Sequence, residues 1–194
     1  MNFDTSILDW IQNFCYSANL DNVMKIFSAI CDHGEIWILT AFVMFFLKQQ
    51  YLDENIKVFI LKKYRIYSIL LLISVILTFL ICQIVLKEIF DRPRPFIENP
   101  DIAIIIPAPN GSSFPSAHSA VSFASAFILL RFNKNIGLSA YILALFIAFS
   151  RLYLQVHYPT DVIAGALIGT IIAAAVYFTS KTIINKQIKT PLPI

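Results

Sequence analysis

The sequence predicts an all-α protein, a polytopic membrane helical bundle of about five transmembrane helices with an interfacial helix at its N-terminus, built as one domain over residues 1–194. Composition is the first observation behind this: 58 % of residues are hydrophobic and 14 % charged, at mean hydropathy +0.71. A soluble domain carries about 25 % charged residues. The second is a set of apolar runs approaching the roughly 20 residues that cross a bilayer core. The third is a lopsided placement of Lys and Arg between those runs.

In chain order, Phe3–Tyr16 reads as an amphipathic helix lying in the interface. Asp4 and Asp9, with no basic stretch before the apolar residues, argue against a secretory signal. The first span is short in its apolar part, Ile36–Leu47, so its helix is predicted to begin near Asn22 and to carry "DHGE" as an irregular outer turn. Ile66–Leu86 and Val162–Ser180 are clean spans, and Ser116–Leu130 and Ile136–Val156 complete the five. Ala140, Ala144 and Ala148, and Gly165 with Gly169, recur every four residues, a spacing that lets helix backbones approach closely in lipid. Cys15, Cys31 and Cys82 form no disulfide framework and no Cys-x-x-Cys pair.

Orientation follows from charge. Lys48, Lys57, Lys62, Lys63, Arg65, Arg131, Lys134, Lys181, Lys186 and Lys189 fall on one side, ten of the 15 Lys and Arg residues. The positive-inside rule reads that side as cytoplasmic. Of the five on the outer side, Lys25 and Arg92 read as headgroup anchors. Lys87, Arg94 and Arg151 do not, because each belongs to a polar cluster at an outer helix end.

Those clusters are "KEIFDRPRP" (Lys87–Pro95), "FPSAHSA" (Phe114–Ala120) and "SRLYLQVHYPTD" (Ser150–Asp161). The topology brings all three to one pole. Pro115 suits a helix start, which would leave the amides of Ser116, Ala117 and His118 pointing outward as an anion site. Lys87, Arg94 and Arg151 add three positive charges, two of them guanidiniums able to grip oxyanions bidentately. Phosphate fits that demand. His157 can attack it, with Asp161 four residues on to hold one imidazole nitrogen protonated, and His118 can act as general acid. His33 reads as a polar residue at a wet boundary. A metal site is disfavoured: the His and Asp spacing is wrong and three cations would repel the ion.

The three clusters also fit, in order, Lys-x6-Arg-Pro (Lys87, Arg94, Pro95), Pro-Ser-Gly-His with Ala117 in place of Gly, and Ser-Arg-x5-His-x3-Asp (Arg151, His157, Asp161). The chain thereby resembles the type 2 phosphatidic acid phosphatase (PAP2) superfamily, related in active site to the vanadium haloperoxidases. The resemblance implies a PAP2/haloperoxidase-like core and a metal-independent membrane lipid phosphatase without cofactor, working through a phosphohistidine. His157 is then the nucleophile, Asp161 its partner and His118 the general acid. Lys87, Arg94, Ser116 and Arg151 hold the phosphate, Ser116 as a side-chain ligand on the resemblance alone. Ala117 is tolerated if its position is helical and strained if it needs a positive φ. The implied location is a bacterial cytoplasmic membrane, with the site on the outer, periplasmic or extracellular, side.

The substrate would be a lipid phosphate ester or diphosphate in the bilayer: undecaprenyl diphosphate, phosphatidylglycerophosphate, phosphatidic acid and a lipid A phosphate all stay open. No nucleic-acid partner is expected, and oligomeric state stays open. A lipid phosphotransferase with the same pocket, a vanadate-dependent oxidation site and a non-catalytic lipid or anion carrier are the alternatives. Between Arg94 and Pro115 the chain is too proline-rich for a helix, and "IAIIIP" (Ile102–Pro107) reads either as lining a lipid entry path or as a packed strut.

Overall fold

The computed structural model describes residues 3–47 and 54–189, which are helical throughout their ordered elements with no strand among them. Lys48, counted above in the basic face, lies outside the described residues, as do positions 1–2, 49–53 and 190–194 of the single domain.

Helix α1 (Phe3–Cys15) is amphipathic as expected. Leu8 and Ile11 are buried against the body of the protein, while Phe3, Trp10 and Phe14 stay exposed. The first predicted span is two helices, α2 (Ala18–Ala29) and α3 (Glu35–Phe46), with α2 capped by the Ser17 hydroxyl accepting from Leu20 N. The break falls at the "DHGE" turn, where Gly34 takes φ +84°, a conformation costly for any residue with a Cβ. The 12 residues of α3 rise about 18 Å, short of a bilayer core.

Helix α4 (Glu54–Phe79) starts earlier than the predicted span and continues through a π-helical stretch, Leu80–Leu86, into α5 (Lys87–Phe90). The left-handed Asp91 (φ 37°) and then Pro93 end it. Pro95 does nucleate a helical turn, α6 (Pro95–Glu98), within the proline-rich connection, because proline fits the first helical position. The rest of that connection is irregular up to α7 (Ala117–Phe132). Helix α8 (Lys134–Tyr153) is capped by the Asn133 side chain and stops before the predicted Val156, since Gln155 is left-handed (φ 56°). Helix α9 (Pro159–Lys189) begins between His157 and Asp161, three residues before the predicted span Val162–Ser180.

Among the described residues three stretches are long and apolar enough to cross a membrane, Ile60–Glu98, Lys134–Tyr153 and Pro159–Thr182; α3 and α7 are shorter apolar helices. Helix α7 is the axis of the bundle, packed against α4, α8 and α9, with α3 on α4, α2 on α8, and α1 against α8 and α9. Its Ala120, Ala124, Ala126 and Ile128 are fully buried. The outward stripes of the other helices, Ile163, Leu167 and Ile171 on α9 for example, are exposed and apolar, as a lipid-facing surface must be. The α7–α9 seam needs glycine: a Cβ on Gly169 would sit 1.9 Å from the Ala120 carbonyl oxygen, and one on Gly165 would sit 2.4 Å from that of Ser116. Gly165 thus sets how near the start of α9 lies to the start of α7.

Connectivity puts the two sequence poles at opposite ends. Arg131 donates to the Tyr177 hydroxyl (3.2 Å) and stacks over its ring, and the Lys63 ammonium lies 4.9 Å from the Phe132 ring centre. The other ends of the same helices carry Lys87, His118, Arg151 and Asp161.

Candidate active site

At that second pole a cavity of about 570 Å³ is lined by Lys87, Arg94, Ala117, His118, Arg151 and His157, together with Asp32, Gln83, Ile105, Ile106 and others. The π-helical stretch contributes Gln83 to the wall, one turn before Lys87. Arg94 and Arg151 are almost wholly buried. Among the described residues no carboxylate lies within ion-pair distance of Lys87, Arg94 or Arg151. Burying a charge without a partner costs several kcal/mol, so two buried guanidiniums and the half-buried Lys87 around one cavity are an arrangement able to accept an anion.

The two guanidiniums are held differently. Arg94 donates to the carbonyls of Gly111 (Nε, 2.9 Å), Val156 (Nη1, 2.9 Å), Asn110 (Nη2, 3.2 Å) and Ser112 (Nη2, 3.3 Å). That leaves one Nη1 hydrogen, on the atom that sits 3.5 Å from His157 Nε2. Arg94 therefore ties the proline-rich connection to the His157 loop, directs its last N–H to His157 Nε2 and offers an anion chiefly its charge. The bidentate grip expected of it is not open. Arg151 Nη1 donates to the Ser28 hydroxyl, while its Nε is buried with no partner. Arg151 is the residue with a free guanidinium edge.

His157, in the loop between α8 and α9, is 2 % exposed. Its Nδ1 lies 2.7 Å from the Ser113 carbonyl oxygen, which can only accept, so Nδ1 carries the hydrogen and the Nε2 lone pair accepts a long hydrogen bond (3.5 Å) from Arg94 Nη1. Burial, reinforced by Arg151, Arg94 and Lys87, holds the His157 pKa well below its ordinary value and keeps the ring neutral at pH 7. A neutral imidazole keeps a lone pair and is chemically able to act as a nucleophile.

His118, the second residue of α7, has its Nε2 3.2 Å from Asp32 Oδ1. Its hydrogen bond to His118 is the main reason the Asp32 carboxyl lies below its usual range, so the carboxylate accepts and His118 Nε2 carries the proton. Two histidines thus line one cavity, each with one ring N–H held by an oxygen acceptor, Asp32 for His118 and the Ser113 carbonyl for His157.

The sequence pattern of the PAP2 superfamily matches residues 67–184, three-fifths of the chain. The chain belongs to the PAP2 superfamily. It is 32 % identical over 114 residues to the Bacillus licheniformis bacitracin transport permease protein BcrC, covering 57 % of this chain and 56 % of the relative. It is 37 % identical over 120 residues to the Bacteroides thetaiotaomicron lipid A 4'-phosphatase, covering 58 % and 53 %. The chain thus spans about half the length of these curated relatives. The crystal structure of Aquifex aeolicus LpxE superimposes with a TM-score of 0.69 at 25 % identity, over 92 % of this chain and 96 % of that one.

The PAP2 motif residues divide into two groups in this fold. Lys87, Arg94, Ala117, His118, Arg151 and His157 line the cavity; Ser116 and Asp161 do not. Ser116 is fully buried, and its hydroxyl caps α7 by accepting from Ser119 N (3.4 Å) and Ser119 Oγ (3.1 Å). Its amide donates to the Asp161 carbonyl (3.0 Å), so of the three amides expected to face outward only those of Ala117 and His118 are available. Pro115 precedes the helix instead of opening it, because Ser116 takes the cap. Ala117 is helical, without positive φ, so replacing the family's glycine there carries no strain.

Asp161 is placed beside His157 but not in line with its Nδ1. The Oδ2 to Nδ1 distance is 3.7 Å, and the hydrogen goes to Ser113. Asp161 Oδ2 accepts from Tyr158 N (2.8 Å) and Oδ1 from Arg92 (2.6 Å), so it shapes the loop that carries His157. Four participants were missed: Asp32, Ser113, Arg92 and Asp4. Arg92, read as a headgroup anchor, points inward onto carboxylates, and Lys25, read likewise, lines the cavity. His33 is exposed at the cavity edge and paired with Glu35.

Proposed function

We propose that this chain is a membrane lipid phosphatase that transfers the phosphoryl group of a lipid phosphate ester or diphosphate to His157 and then to water, without metal. The observation that carries the reading is the gathering of three cations lacking carboxylate partners around a cavity that also holds a buried, neutral histidine with its Nδ1 fixed by a carbonyl. In the first step the Nε2 lone pair attacks phosphorus, displacing its hydrogen bond from Arg94, and the bond to the lipid-side oxygen breaks. That oxygen takes a proton from Nδ1 of His118, doubly protonated with its Nε2–H held by Asp32, which leaves the His118 ring neutral. In the second, His118 accepts a proton from water as the water oxygen attacks phosphorus. The P–N bond breaks and its electron pair returns to His157. Phosphoryl transfer of this kind is accelerated by position and charge, which Lys87, Arg94, Arg151 and the Ala117 and His118 amides would supply. Among the described residues no three His, Cys, Asp or Glu side chains are grouped to hold a metal, and the cavity's positive charge opposes one.

The basic ends of α4, α7 and α9 point away from the cavity, which under the positive-inside rule supports a site on the outer face. Ile105 and Ile106 line the cavity wall, and Ile104 packs beneath them on the cluster holding Tyr153, Leu154 and Val156. Strut and lining are therefore one element, and lipid would enter along it. Replacing Ile104 and Ile105 with serine is expected to lower turnover of a bilayer lipid more than that of a short-chain soluble phosphate; equal losses on both would remove the entry path from the account.

The reading is tested by phosphate release from the purified protein with chelator present, on undecaprenyl diphosphate, phosphatidylglycerophosphate, phosphatidic acid and a lipid A phosphate, with and without a second acceptor lipid. Metal-free release without acceptor supports a hydrolase. Release only with the acceptor makes it a phosphotransferase, and no release from any lipid favours a carrier.

Asp32 accepts from His118 Nε2 and so stabilises the doubly protonated ring, and Asp32→Asn should slow the first step by between tenfold and a hundredfold, the worth of about 1.5–3 kcal/mol in a hydrogen bond to a charged group. The check is single-turnover release of the lipid product. The loss should shrink for a leaving group acidic enough to depart without a proton.

A further inference from the structure

The N-terminal helix carries a carboxylate where an interfacial anchor needs none. Asp4, in the first turn of α1, is 7 % exposed. Its Oδ1 accepts the Thr160 amide hydrogen (3.0 Å), and its Oδ2 accepts from the Thr160 hydroxyl (2.7 Å) and Arg92 Nη2 (2.8 Å). Arg92 Nη1 in turn donates to Asp161 Oδ1 (2.6 Å) and Thr160 Oγ1 (2.8 Å), and the guanidinium carbon lies 4.1 Å from the centre of the Tyr158 ring. One guanidinium thus joins a carboxylate 88 residues before it to another 69 residues after it.

Arg92 also reaches His157 from the other side. Its carbonyl accepts from Ser113 N (2.8 Å), its amide donates to Ser112 Oγ (2.9 Å), and the Ser113 carbonyl is the group that holds His157 Nδ1. The two supports of the nucleophile, the Ser113 carbonyl and the Asp161-shaped loop, therefore share Arg92. Helix α1 completes the clamp: Leu8 O accepts from Gln155 Nε2 (3.2 Å), and Ile11 packs with Tyr153, Leu154 and Val156 immediately before His157. The opposite face of α1, with Phe3, Trp10 and Phe14, is exposed and apolar, suited to the membrane interface.

We propose that Asp4 and Arg92 are positioning residues for His157, acting through Asp161 and Ser113, and that α1 is a working part of the active site rather than only its membrane anchor. The proposal rests on His157 being the nucleophile. Two carboxylates share one guanidinium here, an arrangement that a point-charge ammonium reproduces poorly. Removing Asp4 frees Thr160 and one side of Arg92 and lets the His157 loop drift. Misplacing a nucleophile by about 1 Å costs on the order of a hundredfold, while the phosphate-binding cations stay in place.

The test compares Asp4→Ala, Asp4→Asn and Arg92→Lys with wild type in kcat and KM, alone and combined with Asp161→Asn. It also follows the His157 Nδ1 hydrogen by 15N-histidine NMR of the ligand-free protein. Asp4→Ala should lower kcat tenfold to a hundredfold with KM within about twofold. Asp4→Asn, which keeps an oxygen for the Thr160 amide, should recover part of the loss. In the double variant, Asp4→Ala should add little to Asp161→Asn, and the Nδ1 signal should shift or broaden in each single variant. An unchanged kcat in Asp4→Asn and Asp4→Ala, a loss confined to KM, or losses that multiply in the double variant would overturn the proposal. Should Asp4→Ala not fold, Asp4→Asn and the NMR signal decide. A wild-type protein that releases no phosphate defeats the phosphatase reading instead, and leaves the NMR comparison to judge whether Asp4 positions the ring.

Discussion

Replacing His157 with alanine is expected to reduce phosphate release to the uncatalysed background, the largest effect of any single change in this chain. The ring is buried, neutral and fixed through Nδ1 by the Ser113 carbonyl, so nothing beside it can substitute for the Nε2 lone pair. The nearest other imidazole, on His118, holds its proton toward Asp32. The truncated site leaves a hole at the end of a cavity of about 570 Å³, so added imidazole should restore a measurable fraction of turnover. Rescue by imidazole but not by a non-nucleophilic analogue of its size would separate loss of the attacking atom from loss of packing. Substantial residual activity without imidazole would mean that another group attacks.

The second large effect is expected at Arg151. Arg94 spends four of its N–H groups on carbonyls, whereas Arg151 keeps a buried Nε without a partner and so offers the edge that matches two phosphate oxygens. Removing one donor aimed at developing charge in a dry site costs on the order of a hundredfold to a thousandfold, and Arg151→Leu also removes a formal charge, so a loss of about a thousandfold or more in kcat/KM is expected. Arg151→Lys restores the charge without the fork and should recover only part of it. Arg94→Lys should instead show its loss together with lower thermal stability, because the connection from Asn110 to Ser112 depends on that guanidinium. If Arg94→Lys and Arg151→Lys lose activity equally with no difference in stability, the division of labour between them is wrong.

How much of this was legible in the sequence depends on the range of the interaction. The spans, the basic pole and the three outer clusters are local or periodic features, and the cavity contains most of the residues those clusters nominated. The split of the first span hides in a glycine whose left-handed φ leaves no periodic trace. The capping role of Ser116 was not legible because the same hydroxyl can cap a helix or bind an anion, and the sequence does not show where Ser119 N lies. Asp161 was misaligned because four residues of separation put a carboxylate near an imidazole without fixing which atom meets it. The participants that were missed, Asp32 against His118, Arg92 against Asp161 and Asp4 against Thr160, meet across 86, 69 and 156 residues. One signal was present: an acidic residue near the start of an amphipathic helix, and another in a turn at the outer end of the first span, are costly in an oily chain unless a partner waits for them.

The most direct test is to quench the purified protein during turnover of a phosphorus-labelled lipid substrate and map the label by mass spectrometry under alkaline conditions, which preserve phosphohistidine. The account predicts an acid-labile phosphoryl group on His157, formed without metal and absent in His157→Ala. Label on His118 or another side chain, or full turnover with no labelled protein in a time course fast enough to see it, would contradict it.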